Sequence, residues 1–236
     1  MSLPRLLLTL GDVAGVGPEV VAAAVADPRT AACCRPAVIG DAAILARAAG
    51  VSGAERISVE EVPSRASLFD GPQHAIRCFD PTGGVARDVP PGLVSADAGR
   101  AAHDWLTTAA DLCLAGDADG IVTAPLNKAA LAAAGVKHPG HTEILAERCG
   151  PRPGEPVEVR MTLHLPPGPA NSADFPLGPD GLTVAHVTLH TSIASVPGLL
   201  TSDGVIGTAR LLDRFLTRID ARRRRIGVCA LNPHGG

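Results

Sequence analysis

The sequence is 236 residues long, with 46% hydrophobic side chains and a formal net charge of -3. That length and apolar content allow a sizeable core, as one large α/β unit or as two lobes, and exclude a disordered or fibrous chain. Aromatic residues make up only 2% of the chain and tyrosine is absent. The sequence therefore excludes stacking platforms for single-stranded nucleic acid, and its charge offers no broad field for polyanions or acidic membranes.

Short apolar runs alternate with longer helical patterns along the chain. The expected strands are RLLLTL, PAVIG, RISVEEV, GIVTAP, VEVRMTLHL, LTVAHVTLH and IGVCAL. Helical patterns lie between most of them, and residues 69–91 and 166–181 are expected to be irregular because they are rich in Pro, Gly or polar residues. The alternation predicts a mostly parallel sheet with flanking helices, in two approximate lobes, 1–120 and 121–236. Such sheets bind ligands at the carboxyl ends of their strands.

The six cysteines contain no CxxC pair, and several lie within apolar runs. Buried free thiols are the simpler interpretation. The apolar stretch near the N-terminus is too short for a signal peptide, and no run approaches the roughly 18 apolar residues of a membrane span. We therefore expect a cytoplasmic protein that binds neither membrane nor nucleic acid.

Two loops that follow expected strands have glycine or lysine at notable positions. GDVAGVGPE (11–19) has three glycines in seven residues, which allow a ligand to approach the backbone, although a purely structural turn explains them equally well. After GIVTAP comes Lys128, one of only two lysines in the chain. It is either a point charge for an anion or a solvated residue in the first turn of a helix.

The stretch PGHTEIL (139–145) places His141 and Thr142 where a helix begins. The threonine hydroxyl, the imidazole and the free backbone N–H groups of that turn could converge on a phosphate. Alternatively, Thr142 is only the N-cap of the helix and His141 is a surface residue.

Two further histidines follow expected strands directly. His190 comes after VAHVTL, and His234 comes after IGVCALNP. Neutral imidazoles at adjacent strand ends could share a divalent metal, but two ligands fall short of the three that a catalytic metal normally takes.

Taken in chain order, the motifs GDVAGVGPE, IVTAPLNKAALAAAGV, GHTEILAERCG, VTLHTSIASV and LNPHGG resemble the 4-hydroxythreonine-4-phosphate dehydrogenase family of vitamin B6 biosynthesis. The resemblance spans nearly the whole chain. It implies a two-lobed α/β enzyme related to the isocitrate and isopropylmalate dehydrogenases, acting as a homodimer.

The resemblance also implies a site and a reaction. His141 and Thr142 match the pair that binds the phosphorylated substrate, and His190 and His234 match two metal-binding histidines. The implied reaction is the oxidation of 4-phosphohydroxy-L-threonine by NAD, followed by decarboxylation to 3-amino-2-oxopropyl phosphate, with Zn, Mg or Co as the divalent metal. The metal would lower the pKa of the alcohol and stabilise the enolate, and NAD would accept the hydride.

This sequence departs from the family pattern at three places. Val13 stands where many members have proline, HTSIASV replaces the commoner histidine-aliphatic-Pro-Leu-Arg-Asp pattern, and the family's later YHDQG motif with its third metal histidine is absent. We therefore expect LNPHGG to be the break point of a longer ancestral protein, with the second lobe incomplete and activity poor. There are two alternatives to the 4-phosphohydroxy-L-threonine enzyme. One is a dehydrogenase for threonate or erythronate phosphate, and the other is a catalytically inactive truncated remnant.

Overall fold

A computed structural model describes residues 3–70, 75–152, 155, 157–166, 181–219 and 225–234. The first part of the chain contains five strands: β1 (Arg5–Thr9), β2 (Arg35–Ile39), β3 (Ser58–Glu61), β4 (Ala75–Phe79) and β5 (Gly120–Thr123). They form one sheet with strand order β3-β4-β2-β1-β5, and all of its strand pairs are parallel. The predicted mostly parallel sheet is confirmed.

Helices lie between these strands and after the last of them. They are α1 (Gly17–Ala26), α2 (Pro28–Cys33), α3 (Ala42–Val51), α4 (Ala96–Ala115), α5 (Lys128–Ala133) and α6 (His141–Arg148), with a short 3-10 helix at Arg65–Ser67. Asp41 caps α3 as its sequence predicts, since its Oδ1 accepts hydrogen bonds from the N–H groups of Ala43 (2.7 Å) and Ile44 (3.1 Å). No described helix is both long enough and apolar enough to cross a bilayer.

The core lies around the two central strands. Leu7 of β1 and Ala37, Val38 and Ile39 of β2 are fully buried, as expected for strands covered on both faces. The long helix α4 contributes Trp105, whose ring is also fully buried in this cluster. A second, smaller cluster joins Leu106 of α4, Leu131 of α5 and Ile144 of α6, and so fixes the start of α6 against its neighbours.

The chain divides into two compact units, Met1–Val157 and Glu158–Gly236. The second contains an antiparallel pair, β6 (Thr162–Leu165) with β7 (Leu182–Ala185), then a 3-10 turn (Ile193–Ser195), α7 (Val196–Leu199) and α8 (Ser202–Arg218). The predicted lobes, 1–120 and 121–236, are a different division and stay a prediction.

The second unit buries little of its apolar surface. Among its described residues only Thr208 and Leu216 are buried, and both lie on α8. One face of the β6–β7 pair is apolar and open to solvent, formed by Leu163, Leu165, Leu182 and Val184. A contiguous exposed apolar face of this kind is typical of a surface that another chain or segment covers.

Three sequence expectations need correction or fall outside the structure. Ala75–Phe79 forms strand β4 inside the stretch expected to be irregular. IGVCAL, expected as the last strand, has no strand partner among the described residues, and Val228 and Leu231 are exposed. Most of the expected loop at 166–181 lies outside the described residues.

Candidate functional site

The loop after β1 is joined to the loop after β5 by backbone contacts. Gly11 adopts a left-handed conformation with φ of 66°, and the N–H of Asp12 donates to the carbonyl of Pro125 at 2.9 Å. A Cβ on Gly11 would lie only 2.3 Å from that carbonyl oxygen. The first glycine of GDVAGVGPE is therefore required by this close approach at the carboxyl edge of the sheet.

His141 is held at the same strand end. Its Nε2 lies 3.1 Å from the carbonyl oxygen of Ala124, the residue just after β5. A carbonyl can only accept, so Nε2 carries the proton and donates. Burial lowers the pKa of His141, and the hydrogen bond to Ala124, which acts in the opposite direction, does not offset it. The hydrogen bond therefore holds the imidazole at the carboxyl end of β5, where burial disfavours its charged form.

Thr142 is exposed in the first turn of α6, one residue after His141. The alternative that Thr142 caps this helix is wrong, because the N-cap is Gly140, which supplies no side-chain hydrogen bond to the first turn. The first N–H groups of α6 therefore have no capping side chain at Gly140. Such N–H groups, together with the helix dipole, favour an anion at this end.

Lys128 begins α5 and is exposed. The preceding residue, Asn127, is the N-cap, since its Oδ1 accepts from the N–H groups of Ala129 (3.0 Å) and Ala130 (3.2 Å). The structure therefore fixes where the lysine emerges, after β5, and both sequence interpretations of its role stay open.

His190 and His234 belong to the second unit, and both side chains are exposed. His190 has φ of 51°, the one positive value at a non-glycine residue within the described ranges, which is a strained conformation. The N–H of His234 donates to Asn232 Oδ1 at 2.8 Å, which fixes the turn that carries it. The described residues contain no group of three or more His, Cys, Asp or Glu able to hold a metal, so the two histidines do not by themselves complete a metal site.

Sequence reasoning missed a polar network at the carboxyl ends of β2 and β4. Asp80, directly after β4, accepts from Trp105 Nε1 (2.8 Å) and Thr82 Oγ1 (2.6 Å) through Oδ1 and from the N–H of Gly84 (2.7 Å) through Oδ2. Burial acts to raise the pKa of Asp80, but these hydrogen bonds together outweigh it and leave the pKa below its ordinary value. Sequence reasoning lacked a signal for Asp80, because the strand before it lies in a stretch expected to be irregular.

A second carboxylate extends the network. Asp41 is 1% exposed, and its Oδ2 accepts from Arg87 Nε at 2.8 Å. The chain between Asp80 and Arg87 is thereby fastened to the ends of β4 and β2, and the N–H of Gly92 then donates to the carbonyl of Ala14 at 2.7 Å. Residues 80–92 therefore contact the GDVAGVGPE loop on the β2 side of β1, whereas Pro125 contacts it on the β5 side.

Comparison with known proteins assigns this arrangement to a family. The family model described as pyridoxal phosphate biosynthetic protein PdxA matches residues 32–236. The chain belongs to this family. The predicted resemblance is confirmed, and the matched range includes the GHTE helix and the loop after β5 described above.

Individual relatives of the PdxA family carry two different names. The 4-hydroxythreonine-4-phosphate dehydrogenase of Geobacter metallireducens is 37% identical over 233 residues, which is 99% of this chain and 62% of that protein. The D-threonate 4-phosphate dehydrogenase of Bordetella bronchiseptica is 36% identical over 239 residues, covering 99% of this chain and 61% of that protein. The chain therefore spans just over three fifths of the length of these relatives.

A solved structure agrees with the fold of the PdxA family. The crystal structure of a 4-hydroxythreonine-4-phosphate dehydrogenase from Burkholderia phymatum matches with a TM-score of 0.80 and 38% identity, over 100% of this chain and 65% of that one. This agreement supports the mostly parallel α/β fold.

Proposed function

We propose that this chain takes part in the NAD-dependent oxidation and decarboxylation of 4-phosphohydroxy-L-threonine to 3-amino-2-oxopropyl phosphate, in the biosynthesis of pyridoxal phosphate. The observation that carries the proposal is the meeting of the GDVAGVGPE loop and His141 at Ala124 and Pro125, in a chain of the PdxA family. Backbone groups that converge at a strand end are typical of ligand sites in parallel sheets.

In this proposal the start of α6 receives the phosphate. The N–H groups of its first turn and the hydroxyl of Thr142 donate to phosphate oxygens, and the positive end of the helix dipole favours the charge. His141 lies in the same turn, and its tether to Ala124 fixes its position relative to the bound group. Positioning of this kind aligns the alcohol carbon for loss of a hydride.

Two further groups belong to the proposal. NAD would accept the hydride when bound, and His190 and His234 would each supply an imidazole ligand to Zn, Mg or Co. Two exposed imidazoles do not satisfy a catalytic metal, which takes three protein ligands. We therefore derive no step through the metal, and a third ligand would have to be supplied from outside the described residues.

A second candidate substrate is D-threonate 4-phosphate or the corresponding erythronate phosphate. Relatives about as similar as the first carry the D-threonate name. The segment after His190 is Thr-Ser-Ile-Ala-Ser, where the pattern implied by the resemblance has an aliphatic residue followed by Pro-Leu-Arg-Asp. Loss of that arginine and aspartate removes charged groups that could distinguish an ammonium from a hydroxyl substituent on the substrate.

Assembly and location complete the proposal. The open apolar face of β6–β7 supports association of the chain as a homodimer, because an exposed patch of this kind is costly in water. Free cysteines, among them the buried Cys34 and Cys78, fit a reducing cytoplasm.

The test measures NADH formation by the purified chain with NAD and either 4-phosphohydroxy-L-threonine or D-threonate 4-phosphate, in the presence of Zn²⁺, Mg²⁺ or Co²⁺. We expect slow turnover with one of the two substrates, because two imidazoles hold a metal weakly. Thr142→Val should raise KM for that substrate more than Thr142→Ser does, since serine keeps the hydroxyl. The absence of NADH with both substrates at every metal would favour a catalytically inactive chain instead.

A further inference from the structure

Two adjacent cysteines, Cys33 and Cys34, lie where α2 ends and β2 begins. They are therefore at the amino end of a strand, away from the candidate site at the carboxyl ends. The Cys33 and Cys34 Sγ atoms donate to the same acceptor, the carbonyl oxygen of Thr30, at 3.4 Å and 3.3 Å. The N–H of Cys34 also donates to this oxygen, at 3.0 Å. The two sulfur atoms thus converge on one point.

These contacts keep the pair in its thiol form. A carbonyl oxygen only accepts, so each sulfur that donates to Thr30 carries its proton. Burial raises the pKa of the Cys34 thiol, and the neighbouring Cys33 thiol raises it further. Cys34 is 4% exposed, whereas Cys33 is exposed and gives a reagent access to the pair.

The pair is poorly suited to the two commonest uses of paired cysteines. Zinc binds thiolates and takes three or four protein ligands, and the described residues provide no group of three His, Cys, Asp or Glu. A disulfide joins Cα atoms about 4.4–6.8 Å apart, but adjacent Cα atoms are only about 3.8 Å apart. A third atom placed between the two sulfurs relieves that strain, because it replaces one bond by two.

A small cavity lies beside Cys34. Its volume is about 50 Å³, and it is lined mainly by apolar residues, among them Val25, Pro36, Leu68 and Phe69. A cavity of about 150 Å³ holds a benzene molecule, so this one suits a methyl group and not an aromatic ring.

We propose that Cys33 and Cys34 form a dithiol site for a trivalent arsenical with one small substituent, such as methylarsonous acid, CH₃As(OH)₂. Each sulfur forms a bond to arsenic as one As–OH bond breaks, and the hydroxide leaves as water with the thiol proton. Two water molecules are released, arsenic stays trivalent and neither sulfur is oxidised. The product is neutral, which matches the buried position of Cys34, and the methyl group occupies the cavity.

The two sulfurs should bind far more tightly together than either does alone. Once one thiol has reacted, the second reaction is intramolecular, which strengthens binding by about a hundredfold or more. The experiment is intact-mass spectrometry of the reduced 236-residue chain, titrated with methylarsonous acid in excess glutathione. We expect one methylarsenic group per chain, joined with loss of two water molecules.

Two matched variants locate the arsenic. Cys33→Ser removes one sulfur at an exposed position and keeps a hydroxyl that can donate to Thr30, so its affinity should fall by at least about a hundredfold. Cys149→Ser also changes an exposed cysteine and should bind as wild type does. This control matters because Cys149 lies close enough to Cys113 to raise the pKa of that thiol.

Three results would overturn the proposal. They are removal of the arsenic from wild type by glutathione, wild-type affinity in Cys33→Ser, and loss of binding in Cys149→Ser, which would assign the arsenic to Cys113 and Cys149. Phenylarsonous acid tests the cavity, because its ring is too large to enter. With dithiothreitol as the reference dithiol, the chain should favour the methyl compound, and an equal preference for both would show that the cavity does not receive the substituent.

Discussion

Replacement of Gly11 by alanine tests the contact between the β1 and β5 loops. The added methyl group would lie 2.3 Å from the carbonyl oxygen of Pro125 and 2.8 Å from that of Ala124, both of them backbone atoms that cannot turn aside. The φ of 66° adds a second penalty, because L side chains are disfavoured in the left-handed region. The substitution therefore combines a steric effect with a conformational one.

The magnitude follows from these two contributions. The left-handed conformation costs about 1–2 kcal/mol for a non-glycine residue, and forcing an extra methyl into a packed site costs about 1–3 kcal/mol. If the loop moves away to relieve the clash, the hydrogen bond from Asp12 to Pro125 is lost instead, at about 1 kcal/mol. We expect Gly11→Ala to lower the free energy of unfolding by about 2–5 kcal/mol.

Gly53→Ala is the matched control. Gly53 has φ of 74°, and a Cβ there would meet nothing within 4 Å, so this variant pays only the conformational penalty of about 1–2 kcal/mol. Urea denaturation of both variants, followed by circular dichroism, gives the comparison. Equal destabilisation by the two substitutions would show that the loops do not contact as described, and that the carbonyl holding His141 is not fixed by its neighbour.

Three further predictions concern the first unit. The pKa of Asp80 is held below its ordinary value, so this carboxylate stabilises the fold above about pH 3.9, its unfolded pKa, and the contribution is lost as pH falls through the lower folded pKa. The difference in unfolding free energy between wild type and Asp80→Asn should therefore shrink over that acidic range. A difference that stays constant with pH would contradict this prediction. Trp105→Phe removes the hydrogen bond to Asp80 and leaves a void in the core. Urea denaturation should show a free energy of unfolding lower by about 2–4 kcal/mol. An unchanged free energy of unfolding would show that this hydrogen bond and the packing of the indole ring do not stabilise the fold. A fragment of residues 1–157 holds both apolar clusters and should unfold cooperatively with a midpoint close to that of the whole chain, whereas a molten fragment would show that the second unit is needed.

Much of the first unit could be predicted from the sequence because its central strands are continuous apolar runs. RLLLTL and PAVIG are buried on both faces, and such strands are recognisable without knowledge of their partners. Strand β4 was missed because its burial alternates along only five residues and its neighbours are rich in Pro and Gly. Its place between β3 and β2 is set by long-range pairing, which local patterns do not encode.

The candidate site likewise combines a residue that the local sequence identifies with contacts that only the fold reveals. His141 was found because its motif is local, at the start of a helix after glycine. Its tether to Ala124 and the role of Asp80 depend on residues 17 and 25 positions away, so they required the fold. IGVCAL was predicted as a strand from its apolar residues alone, but a strand also needs a neighbour to pair with, and the described residues provide none.

The uneven burial of the two units has a consequence for the protein in the cell. The described residues of the second unit form no apolar cluster, so we expect them to open and meet proteases more readily than the sheet of the first unit. Chaperones that bind exposed apolar segments would also recognise the β6–β7 face. Association that covers the β6–β7 face would therefore protect the chain from both proteases and chaperones.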